Sequence, residues 1–433
     1  MPSSKRSELQ HLKDEVSKVY LVNDPYIVKF LAAQMITHKL TNDPAWAVIV
    51  GASGAGKSEF INMLSKCNNT YPISTLTSHT FISGAKRGTG ETSLLLKIED
   101  EQGKHSGIIT FKDLTSLLSE NKDDRSVIMA QLREIYDGKY SKQFGTGEKV
   151  EWAGKITVVA GATYAIHSLR QSYTAMGERF VFYNLIAPDR KEAARRTMNN
   201  QAQGDMMARR DNLSDLMRQY IEVFIKIPEK IPPIPHELQE EVLDLAELAT
   251  RARSETERNW RSPQMEITEV HPPEMPTRFA GVLMTYLLAL MIINWNETGK
   301  FEIFDEDKKI LNKISLDSIT KSKRIAMQEL AKYDWLETAA IATKINMPTP
   351  TIRRWLEDLN ALGVADRIKG TGPKGDKWRI IERYRQIMIK FEDLIYIGGD
   401  LEGEDETVGN IINQEDIDEA LKVGEIDVKD LKL

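Results

Sequence analysis

The feature that most restricts how this chain can fold is the octapeptide Gly51-Ala-Ser-Gly-Ala-Gly-Lys57-Ser58. It lies between an unbroken apolar run, Ala45-Trp-Ala-Val-Ile-Val50, and a stretch that reads as helix from Lys57 to about Cys67. An apolar run with no polar alternation reads as a strand buried on both faces, as in the interior of a parallel sheet. Gly51, Gly54 and Gly56 let the following backbone curl so that its N–H groups face inward. A helix opening directly behind such a loop adds its positive end, and the combination suits a phosphate group.

The spacing Gly-x-x-x-x-Gly-Lys-Ser is that of the Walker A loop. It predicts that Gly51, Ala52, Ser53, Gly54, Ala55 and Gly56 cradle the phosphates of a nucleoside triphosphate, taken as ATP. Lys57 then reaches the β and γ phosphates, and Ser58 coordinates Mg²⁺. Such a site needs a carboxylate at the end of a neighbouring strand to hold the metal. Asp113, closing Ile108-Ile-Thr-Phe-Lys-Asp113, is the candidate, its bland alternative being an N-cap before Leu114-Thr-Ser-Leu-Leu118. Leu114 occupies the place where a second acid is usual. Either Glu91, Glu134 or Glu178 polarises the water, or hydrolysis is slow.

Three more residues have candidate catalytic roles. Thr163, just beyond Lys155-Ile-Thr-Val-Val-Ala160, is placed to face the γ-phosphate from the adjacent strand, against a plain loop threonine. Arg179 is placed to stabilise charge on the phosphoryl group of a neighbouring subunit, against a surface salt bridge with Glu178. Arg278 opens the apolar helix after Pro276-Thr277 and is placed to reach back to the phosphates, against a solvated helix end.

The expected fold class is α/β. A P-loop core with a parallel sheet is followed by a helical lid and a small winged-helix domain. The boundaries are 1–44 for a helical lead-in, 45–235 for the core, 236–320 for the lid, 321–385 for the winged helix and 386–433 for an acidic tail. Asp24-Pro25 reads as an N-cap with proline at the first helical position, leading a helix to Leu40. Strands are expected at 107–111, 155–160 and 179–185, with a helix at about 125–136. Lys226-Ile-Pro-Glu-Lys-Ile-Pro-Pro-Ile-Pro235 breaks regular structure and closes the core. The charged segment from about 191 to 218 reads only as helical.

In this order the motifs resemble those of AAA+ ATPases, and most closely the minichromosome maintenance helicases and related replication ATPases of phages and mobile elements. The resemblance runs over roughly residues 24 to 295. Asp24–Leu40 looks like that family's helix before Walker A. Phe81-Ile-Ser-Gly-Ala-Lys-Arg-Gly-Thr-Gly90 sits where the family carries an insert. Tyr140-Ser-Lys-Gln-Phe-Gly-Thr-Gly-Glu-Lys-Val-Glu-Trp152 looks like its hairpin before the sensor strand, with Lys142 and Lys149 as counterparts of its DNA-facing lysine. Met176-Gly-Glu-Arg179-Phe is similar to its arginine finger, and Pro276-Thr-Arg278 to its second sensor. The resemblance implies a hexameric ring with ATP between subunits. Thr163 stands where asparagine is usual, the acid pair is reduced to Asp113, and no large N-terminal DNA-binding domain is expected ahead of the core in this sequence.

Toward the C-terminus, Glu337–Lys344 and Thr349–Leu362 read as helix, turn, helix, and 364–380 as two strands around a glycine-rich wing. Lys321 to Ile380 holds 12 basic and seven acidic residues. A winged helix so charged is expected to place Thr351, Arg353 and Arg354 toward DNA, with Lys369 and Lys374 on phosphates. Protein binding is the alternative.

Composition closes off other classes. The one cysteine, Cys67, allows no internal disulfide or zinc site, which fits a reducing cytoplasmic compartment. Met1–Gln10 lacks the apolar core of a signal peptide. Phe279–Trp295 is apolar but short and diluted by Thr285, Tyr286 and Asn294, so it reads as a buried helix and not a membrane span. From Asp400 the tail carries 12 acids and three lysines, a net of −9 against −6 for the whole chain. It reads as a solvated segment or a docking segment. The leading expectation is a DNA-dependent ATPase, a replicative helicase or helicase loader. The alternatives are a nucleotide-switched transcription regulator and an ATP-assembled scaffold.

Overall fold

The computed structural model describes residues 7–82, 93–145, 147, 149–169, 179–259, 261–262, 265–370 and 375–390. The chain begins with helix α1 (Glu8–Val19), capped by the Ser7 hydroxyl on Gln10 N, and helix α2 (Ile27–Lys39). α2 starts later than Asp24-Pro25 suggests, because the Asp24 carboxylate is used over a longer range. It accepts Tyr26 N at 3.1 Å, the Tyr183 hydroxyl at 2.7 Å and Ile186 N at 3.2 Å.

Strand β1 (Trp46–Val50) feeds the glycine loop and the short helix α3 (Lys57–Asn62), which passes into tight turns before Cys67. Strand β2 (Thr70–Ile73), helix α4 (Leu94–Lys97), strand β3 (Ser106–Phe111) and helix α5 (Lys122–Tyr136) follow. A hairpin of β4 (Lys139–Gln143) and β5 (Lys149–Ala153) then leads into β6 (Lys155–Ala162), and β7 (Phe180–Asn184) completes the sheet. The sheet order is β2-β3-β6-β1-β7, with every pair parallel.

Each central strand divides its side chains between two cores with the period of two that a pleat imposes. Ala47 and Ile49 of β1 join Val159, Val181 and Tyr183 beneath α2 and α3. Trp46, Val48 and Val50 join Ile109, Phe111, Val158, Phe180 and Phe182 beneath α5. Trp46 is fully buried and its indole N–H donates to Ile156 O at 2.7 Å. Trp46→Ala therefore removes about 3–5 kcal/mol of packing.

Beyond β7 come α6 (Arg190–Gln203), α7 (Met206–Gln219) and α8 (His236–Arg253). A hairpin of β8 (Thr256–Arg258) and β9 (Ile267–Val270) precedes α9 (Thr277–Thr298). α9 is the single helix, among the described residues, long and apolar enough to cross a membrane, and 72% of its apolar window is buried inside the protein. Helix α10 (Asp305–Asp317) lies along the outer edge of β7, where Ser318 Oγ and Asp317 Oδ2 accept Phe182 N and Asn184 N. An edge strand that is capped in this way offers little to a foreign strand.

The final segment comprises α11 (Lys321–Ala331), β10 (Leu336–Glu337), α12 (Thr338–Ile345), α13 (Thr349–Ala361), β11 (Ala365–Ile368), β12 (Lys377–Ile380) and α14 (Glu382–Ile389). Its strands form an antiparallel sheet in the order β10-β12-β11. The sequence suggests a separate small domain here, but its Ile352, Leu356 and Trp378 share one continuous core with Leu245 and Leu290. The Arg324 guanidinium also meets the buried Asp317 carboxylate at 2.5 Å, tying α11 to α10.

Candidate functional site

At the carboxyl end of β1 the chain turns sharply. Gly51 N donates to Ala162 O at 3.1 Å and Ala55 N to Ala52 O at 3.2 Å. Gly54 (φ +78°) and Gly56 (φ +89°) occupy the left-handed region, where a side chain would be strained. The N–H groups of Ser53, Gly54, Gly56, Lys57 and Ser58 have no acceptor among the described residues. Lys57 is folded over this loop, and its ammonium donates to Gly51 O at 2.8 Å and Ala52 O at 2.7 Å. Burial holds the Lys57 pKa below the ordinary lysine range, while the nearby Asp113 charge acts against that shift.

Asp113 follows β3 at the same end of the sheet. Its Oδ1 accepts Thr115 N at 2.9 Å, so the capping role foreseen for it is present. The carboxylate is also exposed and lies within electrostatic range of Lys57. Thr115 Oγ1 in turn accepts Thr163 N at 2.8 Å and lies 3.3 Å from Thr163 Oγ1. This chain of contacts stitches the ends of β3 and β6 together. The structure thus gathers Lys57, Asp113 and Thr163 along one sheet end, with Ser58 exposed beside them. Parallel α/β sheets bind ligands at the carboxyl ends of their strands.

The other candidates lie elsewhere. Glu134, offered as a second acid, is near Tyr140 at the start of the β4–β5 hairpin. Glu91 and Glu178 lie outside the described residues. Arg179 precedes β7, whose first residue pairs with Trp46, so it stands at the amino end of the sheet. Its guanidinium is not held open at an edge. It is buried against Tyr136 and donates to both Asp137 oxygens at 3.0 Å.

Arg278 departs further from expectation. Tyr286 is hydrogen-bonded to Gln34, and Asn294 to Lys29, so α9 runs antiparallel to α2. α9 consequently begins at the amino end of the sheet, where Arg278 acts electrostatically on Tyr136 together with Arg179 and Asp43. Its nearest acid is Glu274, at 2.9 Å. Within one chain Arg278 does not reach back to the glycine loop, because the helix carrying it points the other way.

The basic candidates also divide. Lys142 donates to Ile82 O at 3.2 Å and lies 5.5 Å from the Phe144 ring centre, while Lys149 pairs with Glu151. On α13, Arg353 is exposed, as is Lys369 at the end of β11. Thr351 and Arg354 are half-buried and bonded to each other, and Arg354 also contacts Met265 Sδ at 3.3 Å. Lys374 and the acidic tail beyond Lys390 lie outside the described residues.

Sequence reasoning missed what holds α13 in place. Arg258 of the β8–β9 hairpin donates to Asp358 at 2.6 Å, to Glu357 at 3.3 Å and to Arg354 O at 2.9 Å. Glu357 and Asp358 are thus both engaged by the hairpin. Also missed were Tyr20 and Arg210, which converge on Glu59, the residue after Ser58. A glutamate directly behind the lysine-serine pair was the only local signal. Comparison with protein-family models and with curated proteins finds no match for this chain.

Proposed function

We propose that this chain is an AAA+-like ATPase that binds and hydrolyses Mg-ATP and acts on DNA, as a replicative helicase or helicase loader. One observation carries the reading: a glycine loop whose Ser53, Gly54, Gly56, Lys57 and Ser58 N–H groups have no acceptor among the described residues, closed by Lys57, lies beside an exposed Asp113 at the carboxyl end of a parallel sheet. N–H groups turned inward with a lysine among them make an anion cradle.

In this reading Lys57 leaves the Gly51 and Ala52 carbonyls for the β and γ phosphate oxygens. Ser58 and Asp113 would hold Mg²⁺, which would supply positive charge against those oxygens. Thr163 orients the attacking water from the β6 side. Arg179 and Arg278, together at the far end of the sheet, serve the site of a neighbouring copy in a ring, which the family resemblance makes hexameric. Segment 321–385 acts as a winged helix whose exposed Arg353 and Lys369 meet DNA phosphates.

A second reading, a nucleotide-switched regulator, draws support from Leu114. That buried residue stands where a second acid would help, which favours slow turnover. ATP turnover with and without single- and double-stranded DNA, beside Lys57→Ala, separates the two. A Lys57-dependent rate raised severalfold by DNA supports the motor. ATP binding with negligible turnover on every DNA supports the switch.

A further inference from the structure

We infer that Arg210 is an intrasubunit nucleotide-binding residue, placed to contact the α-phosphate or ribose of a nucleotide held by loop 51–58. The inference rests on the phosphate-loop reading above and deepens it.

The loop has two distinct flanks. On one side lie β6 and β3, bringing Thr163 and Asp113 to the γ-phosphate end. On the other side lies β7, to which the lead-in is pinned through Asp24 on Tyr183 and Ile186. A triphosphate with its γ end toward Asp113 therefore extends its α-phosphate and ribose toward the lead-in and the helices that follow β7.

Arg210 of α7 stands on that second flank. Its Nε and Nη2 donate to the two Glu59 oxygens at 2.8 and 2.5 Å, and the Tyr20 hydroxyl donates to Glu59 Oε2 at 2.8 Å. A forked carboxylate–guanidinium pair fixes direction as well as position. Burial, then Glu59, raise the Tyr20 pKa far above the ordinary tyrosine range, so the phenol stays a donor. The Tyr20 ring lies 6.1 Å from Phe60, whose own ring borders Gly56 in the loop. The cluster is therefore part of the loop's wall.

Arg210 retains unspent capacity. Its two bonds to Glu59 use Nε and Nη2 and not Nη1, Tyr20 also acts on the guanidinium, and the side chain is 42% exposed. Anchoring α7 does not depend on it, because Lys66 binds Asp211 and Asp215 at 2.7 Å and Ser214 Oγ donates to Asn62 O at 3.1 Å.

The test is calorimetric titration of the full chain with ATP and with ADP, for wild type, Arg210→Ala, Lys66→Ala and Lys57→Ala. Arg210→Ala is expected to weaken ATP and ADP alike, by about ten- to a hundredfold, because the α-phosphate and ribose are common to both. Lys66→Ala, which loosens α7 without touching the loop, is expected to keep both affinities within about threefold. Unchanged affinity in Arg210→Ala, a loss confined to ATP, or an equal loss in Lys66→Ala overturns the inference. Any of these with Lys57-dependent binding leaves the phosphate-loop reading standing, whereas a wild type that binds neither nucleotide overturns both.

Discussion

Arg179 Nη2 stands 3.0 Å from each carboxylate oxygen of Asp137, at the amino end of the sheet and far from the glycine loop of its own chain. The arginine side chain is 4% exposed and the aspartate 56%. Removing the acid leaves a buried cation with one partner fewer, while the exposed half of the pair adds little. Asp137→Ala should therefore lower stability by about 1–2 kcal/mol, read as a drop of a few degrees in the thermal midpoint. If Arg179 serves a neighbouring site, Arg179→Ala should cost at least about a hundredfold in DNA-stimulated turnover while ATP affinity stays within a few-fold. A stability loss without that turnover loss would leave Arg179 a purely structural residue.

Lys57 and Asp113 should separate binding from chemistry. Lys57→Ala removes the cation that donates to Gly51 O and Ala52 O and should weaken ATP by about tenfold or more. Asp113→Asn keeps the cap on Thr115 N, since a carboxamide oxygen accepts the same bond. Its expected signature is near-normal nucleotide affinity without magnesium and turnover reduced by about a hundredfold with it. Equal turnover in Asp113→Asn and wild type would assign Asp113 to capping alone.

The parts legible in the sequence are those set by local spacing. Apolar runs marked β1, β3, β6 and β7, and the glycine spacing marked the loop. What stayed hidden depends on contacts between distant residues. The direction of α9, which carries Arg278 away from the loop, is set by Tyr286 on Gln34 and Asn294 on Lys29. Nothing near position 278 signals it. Arg179 meets Asp137, Arg210 meets Glu59 and Arg258 meets Asp358 across 42, 151 and 100 positions, and no local pattern around any of these arginines names its partner. Strand β2 carries Pro72 and is partly exposed, so it lacks the apolar run of an interior strand.

His38 supplies a pH test of the core that is independent of nucleotide. Its Nδ1 lies 3.0 Å from Thr157 Oγ1 and its Nε2 3.2 Å from Ser106 Oγ. Burial, and then the charge of Lys155, push its pKa down to about 4, with Lys39 adding to and Asp100 opposing the shift. The folded state thus refuses a proton that the unfolded chain takes up below about 6.5. Between about 6.5 and 4 the unfolded state binds more protons, so stability falls as pH falls, by up to about 3 kcal/mol. Denaturant melts across that window should show the slope, and His38→Gln should flatten it. An unchanged slope in His38→Gln would place the titration elsewhere.

The two neighbouring arginines of α13 should behave differently on DNA. Arg353 is exposed, whereas Arg354 is half-buried and engages Thr351 and Met265. A phosphate contact from Arg353 or Lys369 releases counterions, so Arg353→Ala or Lys369→Ala should weaken DNA and reduce the salt slope by about one. Arg354→Ala removes a group already turned toward the β8–β9 hairpin and should leave that slope nearly unchanged. Arg258→Ala provides the control, because it removes the cation shared by Glu357 and Asp358 on the same helix, leaving Glu357 with Arg367 at 3.9 Å and Asp358 with the Thr256 hydroxyl at 2.7 Å. Two acids with less compensating charge should repel phosphates, so its DNA affinity should fall further than loss of one remote arginine explains. Titrations at several salt concentrations decide the matter. Equal slopes for Arg353→Ala and Arg354→Ala would mean that the hairpin lifts from α13 when DNA binds.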